Sequence, residues 1–147
     1  MSQALFALID LTEDKVDQAS RALALARQHH QTAIERLGLV EGYRDQYQQG
    51  VAGEAMQGVS GQRLRHQHHF IERLHDAVRQ QTQDVHFKAQ AIEAALQKWQ
   101  LAQTDLKKYQ VLLDRATLAA RRKQDKSEQK ANDEYAARIY RANCSGG

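Results

Sequence analysis

The sequence predicts an all-α protein, two long helices folded into an antiparallel, left-handed coiled-coil hairpin with the second helix longer than the first. Three observations carry this expectation. The 147-residue chain contains no proline, where average usage is about 5%, so nothing interrupts long helices. Apolar residues recur at alternating spacings of three and four along two stretches, the pattern of a coiled-coil seam. Between those stretches, "GVAGEAMQGVSG" at 50–61 holds four of the eight glycines, which lets a first helix stop and the chain reverse. Frequent Ala, Gln, Leu, Lys and Arg with few aromatics agree with helix, because these side chains lose little rotamer freedom there. The length and the charged fraction of 27% are those of one ordinary soluble domain, although a compact core is not expected.

Helix one is expected over about 3–49. Its seam runs through Leu5, Ile9, Thr12 and Val16 to Val40, Arg44 and Tyr47, with Thr12, His30 and Arg44 as polar members. The hairpin tip occupies about 50–61. Helix two is expected over about 62–140, and every seventh residue from Leu64 to Ala120 is apolar. A period so close to 3.5 indicates a left-handed supercoil. Residues 142–147 form a disordered C-terminal tail, and the whole of 1–147 is one coiled-coil domain.

Folding about the middle of the glycine-rich stretch pairs residues whose numbers sum to 111. Ala33 then meets Val78, Ala26 meets Val85, Ala19 meets Ile92 and Thr12 meets Trp99, small against large, which evens out the layer volumes. Leu37 meets Leu74, Val40 meets Ile71 and Leu5 meets Leu106, while Arg44 faces Gln67 and His30 faces Gln81. Helix one would span about 65 to 70 Å and helix two about 120 Å. Beyond Leu106 nothing in helix one remains to cover Leu113, Ala116 and Ala120, so that face is expected to bind another chain.

Several functions are excluded or disfavoured by the same residues. The first residues meet acid at Asp10, Glu13 and Asp14 and show no basic start or cleavage site, so no signal peptide is read. No stretch approaches the ~20 apolar residues of a membrane span. The lone Cys144 cannot form an intrachain disulfide, which favours the cytoplasm. In "RLRHQHHF", His66 and His69 share a helix face, yet the stretch holds no Cys, Asp or Glu to complete a tetrahedral metal site, so a solvated polar face is expected and no metal. No phosphate loop, no nucleophile with a base and no cleft are evident, so no catalytic residue and no cofactor are expected. Residues 111–147 carry eight basic side chains against five acidic, including Arg121, Arg122 and Lys123. Interspersed acids and the lack of stacking aromatics favour an acidic protein surface over nucleic acid as their partner.

The strongest functional signal flanks the seam near the tip. Tyr43, Phe70 and Ala77 each fall one residue before a seam position. With Val40, Tyr47 and Leu74 they extend an apolar stripe outwards, a feature of docking sites.

At these residues the sequence resembles the FliJ family of flagellar export proteins, along nearly the whole chain to about Arg141. The likeness rests on "YRDQYQ" at 43–48, "FIERLHDAV" at 70–78, "LQKWQ" at 96–100, "LLDRAT" at 112–117 and "DEYAAR" at 133–138. Each is weakly specific, and their order and spacing around the glycine tip make the combination persuasive. The resemblance implies a non-enzymatic stalk and adaptor of the bacterial flagellar type III export apparatus, cytoplasmic and peripheral at the inner membrane. Its open end would enter the hexamer of the export ATPase FliI, for which Leu113, Ala116, Ala120, Arg121, Arg122 and Lys123 are the candidates. Val40, Tyr43, Tyr47, Phe70, Leu74 and Ala77 would engage the export gate protein FlhA, and export chaperones would also bind. Arg36 stands where the family pattern has glutamine, and Gln81 where it has histidine. The alternatives are the equivalent stalk of a virulence-type secretion system and a basic coiled-coil nucleic-acid-binding protein.

Overall fold

A computed structural model of the chain describes residues 2–146 and contains two helices, α1 over Ser2–Gln57 and α2 over Gly61–Ser145, with no strand among those residues. The two long helices and the greater length of the second are as the seam and the missing proline predict. Their contacts divide the chain into two units, one of Val16–Leu101 and one of Met1–Lys15 with Ala102–Gly147.

In the unit of Val16–Leu101, α1 and α2 run antiparallel. The ring of Tyr47 meets that of Phe70, Gln48 bonds His75, Glu54 pairs with Arg63 and Gln81 reaches the carbonyl of Ala33, so numbers rise on one helix as they fall on the other. The sheltered positions are those of the seam. In α1 Leu23 and Ala33 are buried, and Val16, Ala19, Ala26, His30, Leu37, Val40, Arg44 and Tyr47 are half-buried. In α2 Gln67 is buried, and every seam residue from Ile71 to Trp99 is half-buried. Leu64, at the start of the predicted seam, is exposed.

The tip is shorter and later than predicted. Helix α1 does not stop at 49 but continues through Gly50 and Gly53 to Gln57, leaving Gly58, Val59 and Ser60 as the turn. Seam shelter continues with it, at Val51 and Glu54. Gly58 adopts a φ of 85°, which a side chain resists, and its N–H bonds the carbonyl of Ala55, ending α1. Ser60 then caps α2: its hydroxyl accepts from the N–H of Arg63 at 3.3 Å and its carbonyl accepts from that of Leu64 at 3.1 Å.

This placement corrects the register. The cross-helix contacts centre on Val59 rather than between Ala55 and Met56, which sets each α1 residue about one heptad further along α2. Ala33 is level with Val85 instead of Val78, Ala26 with Ile92 instead of Val85, and Ala19 with Trp99 instead of Ile92. The expected polar layers change as well. Gln81 donates to the carbonyl of Ala33 at 3.0 Å rather than facing His30, and Gln67 donates to the carboxylate of Glu54 rather than facing Arg44.

In the terminal unit, Ile9 and Thr12 of α1 are buried and Leu5 is half-buried. The Thr12 hydroxyl donates to the carbonyl of Leu8 at 2.7 Å, so this polar seam residue is satisfied within its own helix. On α2, Ala102, Asp105, Leu106, Tyr109 and Leu113 are half-buried. Shelter therefore does not end at Leu106 but reaches Leu113, because α1 holds a heptad more of helix than the glycines led us to expect. From Asp114 to Gly146 every residue is exposed. Helix α2 passes the expected end at 140 and continues to Ser145, within the tail expected to be disordered, since no glycine or proline lies between Gly61 and Gly146; Gly147 lies outside the described residues.

Candidate functional site

The six residues of the predicted stripe all lie in the unit of Val16–Leu101. On α1, Val40, Tyr43 and Tyr47 are spaced three and four apart, which stacks them on one helix face. Phe70, Leu74 and Ala77 do the same on α2. The Tyr47 and Phe70 rings lie with centroids 4.6 Å apart and tilted by 57°, joining the two rows across the hairpin. Val40, Tyr47, Leu74 and Ala77 are half-buried, whereas Tyr43 is 64% and Phe70 43% exposed. The seam thus supplies the floor of the patch, and two aromatics stand out from it. Leu39, 63% exposed, is a nearby apolar residue that the seam pattern did not single out.

One turn further along the α1 row is Arg36. It lines a shallow cavity of about 190 Å³ with His29, Thr32, Ala33, Asp84 and Lys88, and Lys88 reaches Asp84 at 3.8 Å. The apolar patch is therefore bordered on its side away from the tip by charge. Gln81, at the same end, is turned inward onto the Ala33 carbonyl.

A second groove near the tip, about 330 Å³, is formed by Val51, Leu64, Arg65, His68 and Ile71. Sequence reasoning missed it because Val51 fell inside the predicted loop. The histidines of this region behave as solvated side chains: His68 and His69 are well exposed and approach Glu72 at 3.5 and 4.0 Å. Among the described residues no three of His, Cys, Asp or Glu gather where a metal ion would bind.

The candidates for the ATPase contact occupy the terminal unit. Leu113 is half-buried, contrary to the expectation that it is uncovered, while Ala116, Ala120, Arg121, Arg122 and Lys123 are exposed. Leu118 among them and Tyr135, Ile139 and Tyr140 beyond them also stand in solvent. No described helix is long and apolar enough to cross a membrane.

The family model described as flagellar FliJ protein matches residues 1–145. A flagellar FliJ protein of Salmonella typhi is 32% identical over 135 residues, and one of Escherichia coli K12 is 30% identical over 135 residues; each alignment covers 92% of this chain and 92% of the relative. A chain from Chlamydia trachomatis described as a YscO homologue is similar in structure, with 16% identity, a TM-score of 0.49 and 96% of each chain covered. With the family match spanning 1–145 and two such relatives aligned along nearly their whole length, this chain belongs to the FliJ family of flagellar proteins.

Proposed function

We propose that the protein is a non-enzymatic stalk and adaptor of flagellar protein export, docking through its tip patch on the cytoplasmic part of the export gate protein FlhA. The observation that carries this reading is the contact between the half-buried ring of Tyr47 on α1 and the exposed ring of Phe70 on α2, with the exposed Tyr43 one turn away on α1. Aromatic side chains anchored on a sheltered floor are the usual centre of a protein interface. In the terminal unit, the uncovered part of α2 from Ala116 to Lys123 enters the hexamer of the export ATPase FliI. A single asymmetric chain in a ring contacts its subunits unequally and so biases their conformational states by differential binding. Export chaperones are further partners, and the protein works in the cytoplasm at the inner membrane through these contacts.

A pull-down with purified FliI and the cytoplasmic part of FlhA tests the reading. Both are expected to be retained by the intact chain. Tyr43→Ala removes the gate component alone, and removal of residues after Ala120 removes the ATPase alone. Retention of both partners by both variants would reject the assignment of ends.

A further inference from the structure

Nothing in the observed fold asks for glycine at any of the four glycines inside α1, Gly38, Gly42, Gly50 and Gly53, and the last two lie within the final eight residues before the turn. A side-chain Cβ at each would meet no atom within 4 Å, and the positive φ of the tip belongs to Gly58. The turn is complete in Gly58, Val59 and Ser60. Alanine at 50 and 53 would favour this helix, so the two glycines suit a state in which the segment is not helical.

The seam describes such a state. On α2 the row Ile71, Val78, Val85, Ile92 and Trp99 is apolar at every seventh position, so moving α1 back by one heptad keeps Ala33, Ala26 and Val40 against apolar partners, now Val78, Val85 and Ile71. Some layers match better there. Leu37 exchanges Gln81 for Leu74, His30 exchanges Lys88 for Gln81, and Arg44 exchanges Leu74 for Gln67. The observed register is held instead by Tyr47 on Phe70, Gln48 on His75 and Glu54 on both Arg63 and Gln67 near the tip, and by Gln81 on the Ala33 carbonyl. The displaced register has no room for helix over 50–57, which must become loop.

We propose that the unit of Val16–Leu101 is a two-register switch, in which α1 slides one heptad against α2 as residues 50–57 pass between helix and loop. The slide is about 10 Å. It carries Tyr47 from Phe70 to the level of Arg63 and separates the α1 row of the patch from the α2 row, so the aromatic face is whole in one register only. This bearing on docking rests on the function proposed above; the slide itself does not.

Cross-linking tests the slide without any partner. Exposed Cys144 is first replaced by Ser, and intramolecular disulfide formation under mild oxidant is compared for two pairs. Gln48→Cys with His75→Cys reports the observed register, in which these side chains meet at 3.2 Å. Gln48→Cys with His68→Cys reports the displaced one. Both pairs are expected to cross-link, and adding Gly50→Ala and Gly53→Ala is expected to lower the yield of the 48–68 pair about tenfold. The 48–75 pair is expected to be unaffected, which also shows that the alanine protein folds. A 48–68 yield no higher than single-cysteine controls, or one indifferent to the alanines, overturns the switch. FlhA binding is then measured on the locked forms. Binding by the 48–75 form and its loss in the 48–68 form supports control of docking; equal binding leaves the slide standing and refutes its link to the patch.

Discussion

Tyr43 and Phe70 occupy corresponding positions, one residue before the seam on their own helices, yet they make different commitments to the fold. Tyr43 is nearly two-thirds exposed, whereas Phe70 rests its ring on Tyr47. Replacing Tyr43 by Ala is expected to weaken gate-domain binding by about ten- to a hundredfold, the range of interface anchors of ~1–3 kcal/mol, with the melting curve unchanged. Phe70→Ala is expected to weaken binding similarly and also to lower stability by about 1 kcal/mol through the lost ring contact. Calorimetric titration and thermal melting by circular dichroism separate the two effects. Should Tyr43→Ala depress melting as much as binding, the residue belongs to the interior. These roles were legible because the spacing of apolar residues tells which side chains flank a seam. Leu39 was not, since its exposure depends on the outer face of α1, about which a seam pattern is silent.

At the scale of the elements, the sequence located the reversal but misjudged where within "GVAGEAMQGVSG" it falls. Glycine permits a turn without requiring one, and the surrounding Ala, Glu, Met and Gln are helix formers. The deciding residues are Gly58, with its positive φ, and Ser60, which caps α2. Gly58→Ala is accordingly expected to destabilise the hairpin by about 1 kcal/mol, because that backbone conformation resists a side chain. Gly50→Ala and Gly53→Ala, with helical backbone and open space, are each expected to stabilise it by up to ~1 kcal/mol. Urea unfolding of the three variants checks the contrast, and a loss at all three would mean that the turn is not confined to 58–60. The register error has a related cause. Ala19, Ala26 and Ala33 recur every seven residues, as do Val78, Val85, Ile92 and Trp99, so small faces large equally well after a slip of one heptad. Side-chain volume fixed the faces and left the slip open, and the polar contacts of Gln48, Glu54 and Gln81 decided it.

For the molecule as a whole, the excess length of α2 was readable from the unequal runs of apolar sevens, and the family from scattered short stretches in the right order. The extent of shelter was not, because it follows from the turn. Removing residues after Ala120 takes away only exposed side chains, so the truncated protein is expected to keep its cooperative melting while losing stimulation of the FliI ATPase. Retained stimulation would move that contact elsewhere. The bare stretch from 114 onwards is held by its own backbone and by few side-chain pairs, among them Gln124 with Glu128. Unsupported helices are marginal in water. Its amides are therefore expected to exchange with deuterium orders of magnitude faster than those of the seam between 16 and 101. Any partner that grips this arm must quench its fluctuations as part of capture, so slowed deuterium uptake there becomes a direct meter of occupancy, readable without labelling the partner.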